Sequence, residues 1–140
     1  MVTASNYDVY GNAKNQTVTA KGEDGATLSV KDITTTYLDA LRGLAATTDV
    51  VTKDKDNNFA EHQGVEVAAA SDYDAWDNAL KQTVKGYSDA TSGTLLSTKV
   101  INTTYLNALR SLAATTDVVT TSATGAFSEH QVVTASNYDA

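Results

Sequence analysis

Residues 35–52 read TTYLDALRGLAATTDVVT, and residues 103–120 read TTYLNALRSLAATTDVVT. The two stretches differ at two of eighteen positions and lie 68 residues apart. Self-similarity of this kind at a fixed period indicates a repeat architecture, in which one repeat is a structural unit that packs against its neighbours. We therefore take the repeat, rather than any single motif, as the feature that decides the fold.

Shorter motifs extend the repetition to the whole chain. VTASNYD occurs at 2–8 and again at 133–139, and a diverged copy, VAAASDYD, occupies 67–74. The chain is thus expected to contain two long repeats and the beginning of another, at 2–66, 67–132 and 133–140.

A finer period lies inside the long repeat. The tyrosines at positions 7, 37, 73, 105 and 138 are separated by 30, 36, 32 and 33 residues. We interpret this spacing as four half-units of about 33 residues, in two alternating types.

Each half-unit has a helical pattern followed by a strand pattern. Tyr105, Leu109 and Leu112 fall at i, i+4 and i+7, which is typical of an amphipathic helix. The segments 116–121 and 129–134 are rich in Thr and Val and flank a turn, which favours strands. The sequence therefore predicts one short helix and two strands in each half-unit.

The widths of these elements suggest how the half-units stack. Packed helices lie about 8–10 Å apart and neighbouring strands about 4.8 Å apart, so two strands match the width of one helix. We therefore expect an α/β repeat fold, a two-layer solenoid in which helices cover one face of a continuous sheet. The alternative is two small α+β beads of about 67 residues, each with its own core.

Composition restricts the partners and the chemistry. Among 140 residues, 10 are basic and 17 are acidic, giving a net charge of −7, which argues against binding to nucleic acid or to an anionic membrane. Apolar runs are only a few residues long, so we expect no membrane insertion. The chain has no cysteine, which excludes disulfides, thiol nucleophiles and cysteine-based zinc sites.

Two histidines occupy equivalent positions. His62 and His130 each lie in a Glu-His-Gln triplet, one in each long repeat. One interpretation is a metal site or a pH-sensitive site in every long repeat. We favour the other, a solvent-facing strand residue copied with the repeat, because no second histidine lies nearby.

One acidic turn has partial calcium-loop spacing. Asp54, Asp56 and Asn58 fit the first positions of such a loop, but Phe59 and Val65 stand where Gly and Glu are required. The second repeat has no carboxylate in the equivalent segment. We expect a solvated turn and no metal or other cofactor, with these three residues as the one weak candidate site.

Aromatic residues are the candidate ligand-binding groups. Trp76 and Tyr10 are equivalent, and if exposed they would form a ladder able to stack on sugar rings. Their helical spacing favours a core position instead. Tyr87 is the better exposed candidate, so Trp76 and Tyr87 are the predicted ligand-binding residues.

No enzyme signature is present in the sequence. It contains no Gly-x-Ser-x-Gly, no phosphate-binding glycine loop and no His-Glu-x-x-His. We therefore predict no catalytic residues and a protein that is not an enzyme.

Near-identical acidic copies rich in Thr, Ala, Asp, Asn and Val, each with a Ser-x-Tyr-Asp…Ala-Leu unit, resemble the repeat regions of Gram-positive cell-wall adhesins. The greatest similarity is to the giant surface proteins of lactic acid bacteria. This resemblance implies an extracellular location at the bacterial cell surface, with wall attachment through other parts of the parent protein.

Three functions follow as hypotheses. The first is a structural stalk or shield, in which stacked repeats of the same chain project or mediate cell attachment and aggregation. The second is a binding module for host glycan, mucin or matrix protein that acts through multivalency. The third is head-to-tail self-association, because the sheet would have an unpaired edge at each end.

Overall fold

The computed structural model describes residues 1–136 and 138, and in this part of the chain it forms one antiparallel sheet of nine strands. The strands are β1 (Val2–Tyr7), β2 (Ala13–Lys21), β3 (Thr27–Asp39), β4 (Leu44–Asp54), β5 (Phe59–Glu66), β6 (Lys81–Tyr87), β7 (Leu95–Asn107), β8 (Leu112–Ser122) and β9 (Phe127–Thr134). Their order in the sheet is their order in the chain, so every strand pairs with its sequence neighbours. The sheet is an antiparallel meander in a single layer.

The described residues contain a single helical element, a 3₁₀ turn at Ala70–Asp72 between β5 and β6. Over the same residues, none of the helical structure has the length and apolar character needed to cross a membrane.

The predicted α/β solenoid is therefore wrong, because the segments read as helices are strand ends and turns. Tyr105 lies in β7, 108–111 form a turn, and Leu112 begins β8. Leu106 and Leu109, which belonged to the expected buried stripe, are 63% and 66% exposed. No second layer covers these side chains among the residues that the structure describes.

Local hydrogen bonding explains why this segment forms a turn rather than a helix. The side chain of Asn107 accepts a hydrogen bond from the backbone N–H of Arg110 at 3.1 Å, and Ser111 has a φ of 54° that reverses the chain. A three-turn helix is marginal without a packing partner. The β-branched residues on both sides instead gain a long hairpin ladder, with ten residue pairs between β7 and β8.

The alternative of two separate beads is also wrong. β5 of the first long repeat pairs with β6 of the second, in a register that runs from His62↔Tyr87 to Glu66↔Thr83. The backbone of Val67 then donates to the carbonyl of Ala46, which fixes the exit from β5. The two copies therefore share one continuous sheet.

The strands themselves follow the repeat. Each half-unit, counted from its tyrosine, contributes two strands, and the segments 116–121 and 129–134 lie in β8 and β9 as strands. Thr36 and Thr104, equivalent residues, each pair their hydroxyl with a threonine on the next strand at 2.6 Å. Cross-strand contacts of this kind stabilise a sheet that has no opposing layer.

Buried side chains are few and lie at special places. In the described part of the chain the buried apolar residues are Leu44, 3% exposed, and Val67, 4% exposed. The buried polar residues are His62, 1% exposed, and Asn78, 8% exposed. Three of these four lie at or near the connection between β5 and β6, so this junction is the best-packed part of the molecule.

Candidate functional site at the repeat junction

His62 occupies the centre of the junction between the two long repeats. Its Nε2 lies 2.7 Å from Oδ1 of Asp49 on β4, and its Nδ1 lies 2.8 Å from the carbonyl oxygen of Asp89 in the loop after β6. The ring of Tyr87 on β6 packs against it with a centroid distance of 4.9 Å and a tilt of 36°. Elements from both repeats therefore surround one imidazole.

The neighbours of His62 favour its protonated form. Burial alone lowers the pKa of His62, but the hydrogen bonds to the Asp49 carboxylate and the Asp89 carbonyl outweigh burial and raise the pKa above the ordinary 6.5. The physical reason is that both partners are acceptors, and only an imidazolium can donate to both at once. The result is a buried histidine whose charge depends on pH near neutrality.

A carboxylate also holds the loop that covers His62. Asp89 accepts hydrogen bonds from the backbone N–H groups of Thr91, Gly93 and Thr94, at 2.8 to 3.0 Å. These bonds, that of Gly93 first, keep the pKa of Asp89 well below its usual range. The loop is thus fixed in the shape that presents the Asp89 carbonyl to His62.

Ser92, His62 and Asp49 contain the residue types of a hydrolase triad but not its geometry. Both Ser92 Oγ, at 3.4 Å, and the Asp49 carboxylate approach the same nitrogen, Nε2 of His62. A triad places the acid on one ring nitrogen and the nucleophile on the other. This arrangement holds the imidazole in place and gives it no role as a general base toward Ser92.

We expected both histidines to face solvent. This expectation is wrong for His62, which is buried, and correct for His130, which is exposed. His130 makes the same side-chain contact, with Asp117 on β8, but its side chain is 48% exposed. The sequence could not separate the two residues, because the difference arises from β6 and the following loop, which cover β5 and have no counterpart beside β9 among the described residues.

Tyr87, a predicted ligand-binding residue, is half-buried against His62 rather than freely exposed. It borders two shallow depressions, one at Gly86 of about 230 Å³ and one at Gly64 of about 190 Å³. The two depressions lie on opposite faces of the sheet. Gly64 pairs with Lys85, the neighbour of Gly86, and successive residues of a strand face opposite sides. Both depressions are smaller than ordinary small-molecule pockets, which are roughly 300–1,000 Å³.

A larger open groove of about 380 Å³ lies beside Tyr37 in the first repeat, with Asp8 and Lys14 at its border. It contains neither of the predicted ligand-binding residues.

Trp76, the other predicted ligand-binding residue, is 57% exposed, and its equivalent Tyr10 is 59% exposed. Their expected place in a core is therefore wrong. Each lies at the middle of a tight turn before a strand, where Asp74 accepts hydrogen bonds from the backbone N–H groups of Trp76 and Asn78 at 2.8 and 3.0 Å. Asp8 holds the turn of Tyr10 in the same way.

Trp76 and Tyr87 do not form one site. They lie at opposite ends of β6, whose seven residues span about 20 Å. Any ligand that contacts Trp76 therefore binds at the turn and not at the histidine junction.

The candidate calcium turn is a hairpin turn between β4 and β5. Oδ1 of Asp54 accepts hydrogen bonds from the backbone N–H groups of Asp56 and Asn58, both at 2.9 Å. The bond from Asn58 first of all holds the pKa of Asp54 below its usual value. Asp56 pairs instead with Lys55 at 2.7 Å, so these carboxylates are used by the turn itself. Within the described residues, no group of three or more metal-ligating side chains is present.

The sequence did not reveal the role of the periodic tyrosines. Four of them donate their hydroxyl to an alanine carbonyl in the preceding half-unit, and we call these contacts the tyrosine clasps. The pairs are Tyr37 with Ala13, Tyr73 with Ala45, Tyr105 with Ala79 and Tyr138 with Ala113. Their regular spacing was visible, but the acceptor could not be identified without the strand register.

No protein-family model, curated protein or solved structure matches this chain. The geometry of the molecule and the resemblance of its repeats therefore carry the functional argument.

Proposed function

We propose that this chain is a structural repeat segment of a bacterial surface adhesin, a stalk or shield that projects or mediates cell attachment and aggregation. Its location would be extracellular, with attachment to a Gram-positive cell wall through other parts of the parent protein. The single observation that carries the proposal is the continuous sheet across the repeat boundary, where β5 pairs with β6. A sheet that continues through the boundary can be lengthened by adding copies.

The mechanism of such a stalk is simple addition of strands. Each long repeat supplies four strands, and neighbouring strands lie about 4.8 Å apart, so one copy adds about 19 Å along the sheet. The 68 residues of one copy could also extend to about 230 Å if the hairpins opened. The segment therefore combines a defined folded reach with a large reserve of length.

The proposed role is structural and not catalytic. His62, the buried ionisable group of the junction, has both nitrogens occupied by partners of the sheet and its loop. The negative charge of −7 keeps such arrays soluble and opposes their side-by-side association at neutral pH.

Chains with one, two, three and four long repeats test this proposal. We expect the length of the sheet across its strands, obtained from shapes fitted to small-angle X-ray scattering, to rise by about 19 Å for each added copy. Separate beads joined by flexible linkers would instead give a broad distribution of lengths and no constant increment for each copy. That second result would contradict the proposal.

A second candidate function is a glycan-binding module, which the exposed aromatic turns favour. Tyr10 and Trp76 occupy equivalent turns four strands apart, which places them about 19 Å from each other along one end of the sheet. Regularly spaced weak sites would act together through multivalency on host glycan or mucin.

Trp76→Ala in this chain tests the second candidate. We expect binding to immobilised mucin or to a glycan array to fall at least several-fold, and to fall further when Tyr10→Ala is added, because avidity requires both turns. Leu109→Ala is the matched control, since it removes an exposed apolar side chain, 66% exposed, from a different turn. Equal binding by all four proteins would exclude the aromatic turns as the site.

A further inference from the structure

The sequence VTASNYD occurs twice in this chain, and its described residues follow different courses at the two places. VTASNYD at 2–8 forms the edge strand β1 on β2, with Val2↔Val18 and Thr3↔Thr17 pairs. The identical residues at 133–139 follow another course over their described part. Val133 and Thr134 belong to β9, and the backbone of Ala135 donates to the carbonyl of Ala114.

The course at the C-terminal end is the one used inside the molecule. The equivalent residue Val67 donates to Ala46, and the hydroxyl of Tyr73 reaches Ala45. Tyr138 likewise reaches Ala113. The end of β9 is therefore already shaped like the end of β5, which is paired with a following strand.

β1 occupies the place on β2 that β5 occupies on β6. Tyr7 pairs with Ala13 as Tyr73 pairs with Ala79, so the two arrangements agree at this tyrosine. The two arrangements differ only in the residues that precede this tyrosine. Residues 1–5 run back along β2, whereas the corresponding edge of β6 is covered by β5.

The backbone groups at the two outer edges match each other. The N–H of Ala135 faces β8, so by alternation the N–H groups of His130, Val132 and Thr134 face away from it. On β2 the N–H of Thr19 faces β1 and donates to the carbonyl of Met1. By the same alternation, the N–H of Thr17 also faces β1. These are the groups that correspond to those joining β5 and β6.

The histidine environment marks β9 as the uncovered counterpart of β5. His130 and His62 both contact an aspartate on the preceding strand. His62 is 1% exposed, because β6 and the Asp89 loop cover it, while the His130 side chain is 48% exposed. Val132 and Val133 on the same strand are 61% and 58% exposed.

We propose that the partner of this edge is a second copy of the chain, with β9 of one copy pairing antiparallel to β2 of the next and releasing residues 1–5 from that edge. The register is that of β5 on β6, which sets Val133 opposite Val18 and Thr134 opposite Thr17. The inference extends the proposed function from repeats within one chain to separate chains joined head to tail. The free β9 edge and the replaceable β1 make the joint directional.

The side chains at this joint differ from those at the internal junction. Lys21 stands at the position of Tyr87, and the turn at 22–26 is two residues shorter than the loop at 88–94 that covers His62. The cover of the histidine is therefore not copied. The joint is stabilised by backbone hydrogen bonds between the two strands and by burial of exposed valines. These two contributions stabilise strand addition at any sheet edge.

Disulfide trapping of Val18→Cys/Val133→Cys tests the proposal in the 140-residue chain. The proposed register makes these residues a directly opposed pair without mutual backbone hydrogen bonds, with Cα atoms about 4.5 Å apart, within the range for a disulfide. The chain has no other cysteine, and β2 and β9 are seven strand spacings apart, about 34 Å, so a bond within one chain is impossible. We expect disulfide-linked dimers and higher oligomers on non-reducing gels after mild oxidation.

The register has its own control, Val18→Cys/Val132→Cys. Residues 132 and 133 point to opposite faces of β9, so this pair should give at least several-fold less cross-linked product. The single variants Val18→Cys and Val133→Cys detect any pairing of β2 with β2 or of β9 with β9 between two copies. Circular dichroism of each variant establishes that the sheet has formed.

Adding Thr3→Pro to the double cysteine variant tests the release of β1. Thr3 pairs with Thr17, and proline removes its backbone donor from an edge strand without touching β2 to β9. We expect faster cross-linking. A monomer after oxidation, equal yields from the two registers, or as much product from a single cysteine would each overturn the proposal. The length series described under the proposed function does not depend on this result, so the two can fail separately.

Discussion

The two positions that differ between the repeated stretches flank the turn between paired strands, one at the end of the first strand and one just before the second. Asp39 and Asn107 play the same part, since the side-chain oxygen of each accepts a backbone N–H three residues later at 3.1 Å. Gly43 and Ser111 both have a positive φ, of 71° and 54°, and the hydroxyl of Ser111 donates to Asn78. At both positions the substituted residue keeps the turn hydrogen-bonded.

His62 makes the stability of the sheet depend on pH. Its pKa is raised in the folded state, so its contribution to stability is fully present below about pH 6.5 and is lost as pH rises through the folded-state pKa. We expect the urea midpoint of the natural chain to decrease from pH 6 upward through neutral pH. In His62→Gln this decrease should be much smaller.

The control for this titration is His130→Gln, which removes the equivalent but exposed residue. It should retain the decrease seen in the natural chain, because His62 with its Asp49 and Asp89 partners is still present. A decrease that disappears in His130→Gln and persists in His62→Gln would contradict the assignment to the junction.

At the scale of the element, one pentapeptide pattern forms three of the turns. DVYGN at 8–12, DKDNN at 54–58 and DAWDN at 74–78 share an initial aspartate and a final asparagine. In each turn the aspartate accepts backbone N–H groups at its third and fifth residues, and the fourth residue has a positive φ. This is the geometry of a short hairpin loop closed by a left-handed residue. The same pattern explains why one copy resembled a calcium loop.

The tyrosine clasps connect each half-unit to the one before it. Tyr105 donates its hydroxyl to the carbonyl of Ala79 at 3.0 Å, and Tyr105→Phe removes only that hydroxyl. We expect the free energy of unfolding to fall by about 0.5–1.5 kcal/mol, the usual net value of one hydrogen bond. Urea denaturation followed by circular dichroism measures the change.

Tyr10→Phe is the matched control for the clasp. Its ring is 59% exposed at a turn, and within the described residues its hydroxyl has no hydrogen bond to the protein. This variant should differ from the natural chain by less than about 0.5 kcal/mol. A Tyr105→Phe variant as stable as Tyr10→Phe would show that the clasp contributes nothing to the link between half-units.

At the scale of the whole molecule, a meander in one layer makes stability a property of neighbours. Among the described residues, the extensive contacts are all between strands that are neighbours in the sheet. The molecule is therefore quasi-one-dimensional, with each added repeat contributing one further interface. In the series of chains with one to four repeats, we expect the melting temperature to rise with copy number and then level off as the two edges become a smaller fraction of the sheet.

The sequence alone revealed the repeats and most strand segments. These features are local, because near-identical stretches share the same local preferences and Thr- and Val-rich segments favour strands wherever they pack. It misled over the segments after each tyrosine, such as Tyr105 to Leu112. Their apolar residues fit a helical period, but they belong to two strands and the turn between them.

The amino-acid sequence determined that this molecule is an array of similar units that are acidic, free of cysteine and rich in strand-forming residues. The tertiary structure decided that the units share a single sheet without a second layer. It also decided that His62 is buried while His130 is exposed, although their immediate sequences are almost the same. The reason is that strand register and edge position arise from pairing between residues far apart in the chain, and no local pattern of side chains specifies which edge is covered.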